Sequence, residues 1–184
     1  MRSPIHLLWL IAVIVAGCRS PTTVIAESSL GVERRSDLRI SGDGAILRAS
    51  IGSETHKIDL PESMNLDMDG AVLLAHQSDG TFGYLLCLTT GPSRRHGNPY
   101  GRCGAGIETS VIWLKLHAWR IVDSQQRRVE SCWTDQSVVK GPHWRDRKCF
   151  VVFWDPHDDN SEVTLSYDCD KPNEGLSFTK KPFN

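Results

Sequence analysis

The sequence predicts an all-β fold, an antiparallel meander closed as a barrel or stacked as a sandwich and stabilised by disulfides. Three observations predict it. Turn signals recur about every ten residues between short apolar stretches. Those stretches are rich in β-branched and aromatic residues. No segment keeps a helical period long enough to compete. The composition is that of a globular chain: 184 residues, 40% hydrophobic and 23% charged. That length allows one domain. Twenty-one Lys and Arg against 22 Asp and Glu leave a net charge of -1, which removes the global argument for a nucleic-acid partner.

The first strands are expected at 45–51 and 56–60, joined by Gly52-Ser53-Glu54-Thr55. A second hairpin pairs 70–77 with 81–89 through Ser78-Asp79-Gly80, whose Asp-Gly step is a strong turn signal. A long strand follows at 108–122, carrying Val111, Ile112, Trp113, Trp119 and Ile121, and the Leu114-Lys115-Leu116 alternation favours strand over helix. Asp123-Ser124-Gln125-Gln126 is expected to turn it into a strand at 127–133. Residues 134–147 read as a loop. The last pair is 148–155 with 162–169. Val163, Leu165, Tyr167 and Cys169 share one face there, and Glu162, Thr164, Ser166 and Asp168 share the other. Its partner, Cys149-Phe150-Val151-Val152-Phe153-Trp154, is apolar on both faces and belongs in the interior of a sheet.

The N-terminus reads as an address. Met1-Arg2 leads into the run Leu7-Leu8-Trp9-Leu10-Ile11-Ala12-Val13-Ile14-Val15, which is short for a membrane span. Val15-Ala16-Gly17-Cys18 then resembles a bacterial lipobox. That resemblance implies cleavage before Cys18, acylation of the cysteine and tethering through at least two hydrocarbon chains. The expected organisation is a signal peptide at 1–17, a lipid-anchored tether at 18–36 and a single β domain at 37–184. The implied location is the bacterial cell envelope, facing the periplasm, on the outer membrane if the cell has one. An envelope location is oxidising, so cysteines there are candidates for disulfides. With a turn centred near residue 159, Cys149 and Cys169 stand opposite one another. Cys87 and Cys103 flank the polar stretch 91–102, and a bridge there would staple it. This pairing leaves Cys132 free, with Cys132–Cys149 and Cys103–Cys132 as open alternatives.

Charge is unevenly spread, at -4 for 18–92, +6 for 93–149 and -4 for 150–184. The basic middle contains the most unusual local sequence, Arg94-Arg95-His96-Gly97-Asn98-Pro99-Tyr100-Gly101-Arg102. Arg94, Arg95, His96, Tyr100 and Arg102 offer contacts for an anion or a carbohydrate, on a loop of the kind that carries binding. Trp144 and Arg145, in the 134–147 loop, extend the candidate surface as an aromatic anchor beside a cation. The oxygen-rich stretch 155–162 would suit a hard cation, but a hairpin tip has the same composition. No metal and no cofactor are assigned.

These residues favour a lipid-anchored, extracytoplasmic binding protein, of which an inhibitor or immunity-type protein is one form. Its partners would be the membrane, through the lipid, and a protein or anionic envelope component. The alternative is an envelope hydrolase or thiol enzyme using Cys132 and His117, which a turn at 123–126 would place on facing strands.

Overall fold

Tyr84-Leu85-Leu86-Cys87 and Val111-Ile112-Trp113-Leu114 are apolar at consecutive positions. On a strand, consecutive side chains point to opposite faces, so such a run needs a covering layer on both sides. The computed structural model, which describes residues 38–64, 66–93, 106–158 and 160–182, provides those layers. Three antiparallel meanders follow one another along the chain. The first comprises β1 (Leu38–Asp43), β2 (Ile46–Ile51) and β3 (Glu54–Asp59). The second comprises β4 (Gly70–Ser78), β5 (Gly83–Pro92), β6 (Ile107–His117) and β7 (Arg120–Glu130). The third comprises β8 (Ser137–Arg145), β9 (Lys148–Asp155), β10 (Ser161–Asp168) and β11 (Leu176–Pro182).

The β4–β7 sheet is the middle layer. Tyr84, Leu86, Val111, Trp113 and Val129 on one face pack with Val151, Phe153, Val163, Leu165 and Tyr167 of the third sheet. Leu85, Cys87, Ile112, Leu114 and Leu116 on the other face pack with Leu38, Leu47, Ala49 and Ile58 of the first. The result is a stack of sheets, and among the described residues no barrel closes. Gln77 bridges two layers, since the Tyr167 hydroxyl donates to its Oε1 at 2.5 Å and its Nε2 donates to Cys169 Sγ at 3.2 Å. Trp113 Nε1 donates to the Pro172 carbonyl at 3.0 Å. The amide of Leu176 donates to Gln125 Oε1 at 2.6 Å.

Several expectations are corrected. The β6–β7 turn is Ala118-Trp119, with His117 opposite Arg120, so 123–126 lies within β7. Both turn residues have positive φ, 48° and 64°, in a loop that lacks the Asn and Gly by which such turns are read. Residues 137–145 form β8 despite Gly141-Pro142, because β8 is an edge strand that bulges past them. Strands β1 and β11 are additional to the expected set. Because β11 pairs with β10, the last expected strand is interior. Its faces are as anticipated, with Val163, Leu165, Tyr167 and Cys169 buried, and β9 lies inside its sheet.

The expected disulfides are corrected too. Cys87, Cys149 and Cys169 are free, buried thiols, which removes Cys87–Cys103 and Cys149–Cys169. The β9–β10 turn is centred one residue earlier than expected, and Cys149 faces Tyr167. Cys132 is disulfide-bonded and carries no thiol; its partner lies outside the described residues.

Candidate functional site

Arg94, Arg95, His96, Tyr100 and Arg102 lie outside the described residues, as do Cys18 and Cys103. The feet of that loop are well defined. The amide of Ser93 donates to the Gly106 carbonyl at 2.8 Å. Glu108, one residue into β6, ties the feet to the β7–β8 turn: its Oε1 accepts from the Ser93 hydroxyl at 2.5 Å and from the Ser131 hydroxyl at 3.0 Å. Arg128 Nε lies 3.0 Å from Glu108 Oε2. Ser93 and Ser131 are buried and both are satisfied by Glu108 Oε1, whereas the buried atoms Glu108 Oε2 and Arg128 Nε face each other as an ion pair without hydrogen-bond geometry.

Trp144 and Arg145 do not join that end. They stand at the far end of β8, about 25 Å along the strand from Ser137. Trp144 is opposite Cys149 and packs against the inner core, so it is a packing residue and not an exposed anchor. Arg145 is exposed beside Asp146 at 3.4 Å.

The thiol chemistry considered from sequence has no support in the geometry. His117 sits at the β6–β7 tip beside Phe82, with ring centroids 5.8 Å apart. Cys132 follows the opposite end of β7, about 33 Å away along the strand. Burial pushes the free thiols away from the reactive thiolate, Cys87 and Cys149 up to about 12 and Cys169 up to about 11. The oxygen-rich hairpin tip is committed to protein donors. Asp155 Oδ2 accepts from Arg127 at 2.7 Å and from Gln136 at 2.6 Å, and Lys180 donates to Asp158 at 2.5 Å.

The outer face of the β8–β11 sheet is different in kind. Phe150, Val152 and Trp154 alternate with the inward Val151 and Phe153, so they point away from the core, and no described strand lies over them. They form a half-buried apolar stripe along β9. Its flanks are polar: His143, Lys140 and Ser137 on β8 stand opposite Phe150, Val152 and Trp154 in that order. On β10 the same three residues face Ser166, Thr164 and Glu162. Ser166 and Ser177 hydroxyls meet at 2.8 Å one strand further out. The His143 and Phe150 rings lie 5.7 Å apart. Trp154 Nε1 donates to Asn160 Oδ1 at 2.9 Å, which fixes the indole. A depression of about 180 Å³ is lined by His143, Arg145, Phe150 and Thr164. The signal for this surface was in the sequence, because a strand that is apolar on both faces has two surfaces to account for, and only one faces the core.

No family model, curated protein or solved structure matches this chain.

Proposed function

We propose that this protein is a lipid-anchored binding protein of the bacterial cell envelope that holds its partner on the outer face of β8–β11. The observation that carries the reading is the Phe150–Val152–Trp154 stripe, three apolar side chains on an interior strand turned away from the core. A half-buried apolar stripe bordered by polar groups, on a face that no described strand covers, supports an interaction site. Binding is favoured over catalysis because the described thiols are buried and shifted away from thiolate, and His117 and Cys132 are far apart. The anchor is read from the lipobox-like Val15-Ala16-Gly17-Cys18. Among the described residues no helix is long and apolar enough to cross a membrane.

Two measurements test this. Labelled palmitate should enter the wild-type chain and not Cys18→Ser, which should also leave the membrane fraction. Detergent-solubilised envelope material should be retained by immobilised wild type, and much less by the outward-facing Phe150→Ala/Trp154→Ala pair with its far-ultraviolet circular dichroism unchanged. Equal retention by both would remove this face as the contact surface.

A further inference from the structure

We infer that the occupant of the β8–β11 outer face is an extended, carboxylate-bearing polysaccharide. This inference rests on the binding reading above and names its ligand.

The shape of the stripe points to a narrow, linear ligand. Phe150 and Trp154 are four residues apart on one strand, about 13 Å at the usual rise. The apolar run is carried by β9; one strand to either side, about 4.8 Å away, the residues opposite it are Ser137, Lys140 and His143 on β8 and Ser166, Thr164 and Glu162 on β10, with Glu162 beside Trp154. A strip one ring wide with hydrogen-bonding groups along both margins suits a chain of sugar rings. Such a chain lays its C–H faces on Phe150 and Trp154 and turns its hydroxyls toward Ser166 and Thr164 on one side and His143 and Ser137 on the other. A protein partner of ordinary interface size would call for a broader, contiguous apolar centre.

Charge selects the kind of glycan. On this face Lys140, Arg145, Lys148 and Lys181 stand against Glu162 and Asp168. Lys148 and Asp168 neutralise each other at 3.0 Å, Lys181 is opposite Glu162, and Arg145 has Asp146 at 3.4 Å. The remaining positive charge therefore lies on the β8 margin at Lys140, with Arg145 held in an exposed pair that a ligand carboxylate can enter. Arg145 lines the depression beside Phe150 and Thr164, where a carboxylate on a stacked sugar would meet its guanidinium. His143 Nδ1 is 3.1 Å from the Gly141 carbonyl, so the ring donates there and leaves Nε2 for a ligand hydroxyl.

The test uses calorimetric titration of the folded wild-type protein with three probes: polygalacturonate oligomers, neutral chito-oligosaccharides and polyglutamate. The expected result is saturable binding of polygalacturonate, with the neutral glycan and the ring-free polyanion each at least tenfold weaker. Trp154→Ala and, separately, Lys140→Glu/Arg145→Glu should each weaken polygalacturonate at least tenfold with the fold intact. Polyglutamate binding as tightly as polygalacturonate would reduce the face to a charge patch and overturn the inference. Chito-oligosaccharide binding equally well would overturn the requirement for a carboxylate. If no probe binds while the Phe150→Ala/Trp154→Ala pair still loses envelope retention, the glycan is overturned and the contact surface stands, with a protein as its occupant. If retention is also unaffected, both readings fall.

Discussion

Cys149 stands opposite Tyr167 across the β9–β10 ladder, which puts Cys169 one diagonal step beyond it on the same buried face. Diagonal neighbours on a ladder are ~7–8 Å apart, outside the usual Cα span of a disulfide. The thiols are therefore core residues. Native protein should show no reaction of Cys87, Cys149 or Cys169 with a thiol-specific chromogen, and all three should react once it is unfolded in guanidinium. Rapid native labelling of Cys149 would contradict this arrangement. Cys149→Ser, which buries a hydroxyl among apolar neighbours, should cost about 1–3 kcal/mol in urea unfolding.

Gly91 is required by a close approach. A Cβ built on it would lie 1.8 Å from the Asp67 carbonyl oxygen, so the β5 backbone touches the connection that leads into β4. Gly91→Ala must push one of those backbones away. The expected loss is about 2–4 kcal/mol in chemical denaturation, and an unchanged midpoint would be inconsistent with this contact.

At the β6–β7 turn the opposite change is available. Ala118 holds φ at 48°, a conformation that asparagine tolerates better than alanine. Ala118→Asn should raise stability by about 0.5–1 kcal/mol in thermal or urea unfolding. Trp119 is a poorer target, because its ring stacks on His56 with centroids 4.2 Å apart and links the first sheet to the hairpin tip.

Tyr84 and Asp79 make a pH-dependent pair at the β4–β5 turn, with the Tyr84 hydroxyl donating to Asp79 Oδ2 at 2.7 Å. That hydrogen bond, with burial second, pushes Tyr84 up to about 12 from an ordinary 10.0. A raised folded value means the contribution is fully present below pH 10 and disappears as pH rises through about 12. Asp79 is held below its ordinary 3.8 by the Phe82 amide first, then by Tyr84 and the Thr81 amide. Its contribution is present above 3.8 and is lost as pH falls through the depressed value. Wild-type melting temperature should therefore drop in both windows. Tyr84→Phe should flatten the alkaline drop, and Asp79→Asn the acid one.

Arg127 reaches the nearly buried Asp155 at 2.7 Å while its guanidinium lies over the Phe153 and Phe178 rings. Arg127→Met keeps most of the packing but leaves Asp155 with Gln136 and the His157 amide as its partners. A loss of about 1–3 kcal/mol is expected, with part of it recovered in Arg127→Met/Asp155→Leu. A double-mutant cycle reads the pair directly, and zero coupling would contradict the contact.

What the sequence determined by itself is the β class, the consecutive hairpins and the interior position of β9. These follow from local turn chemistry and from a side-chain period of two, both of which are readable along a single chain. It also placed Val163, Leu165, Tyr167 and Cys169 on a common buried face. The tertiary structure decided the rest. Ala118-Trp119 turns without a turn signature because packing of Trp119 against the first sheet holds the strained pair. Residues 137–145 become a strand because β9 offers them an edge, whatever Gly141-Pro142 suggests locally. The one-residue difference in the β9–β10 turn changed a predicted disulfide into two separate thiols, since register depends on what the whole face packs against. The outward stripe of Phe150, Val152 and Trp154 was visible as letters. Only the stacking of three sheets, which covers the middle sheet twice and this one once, decided that the stripe faces away from the core.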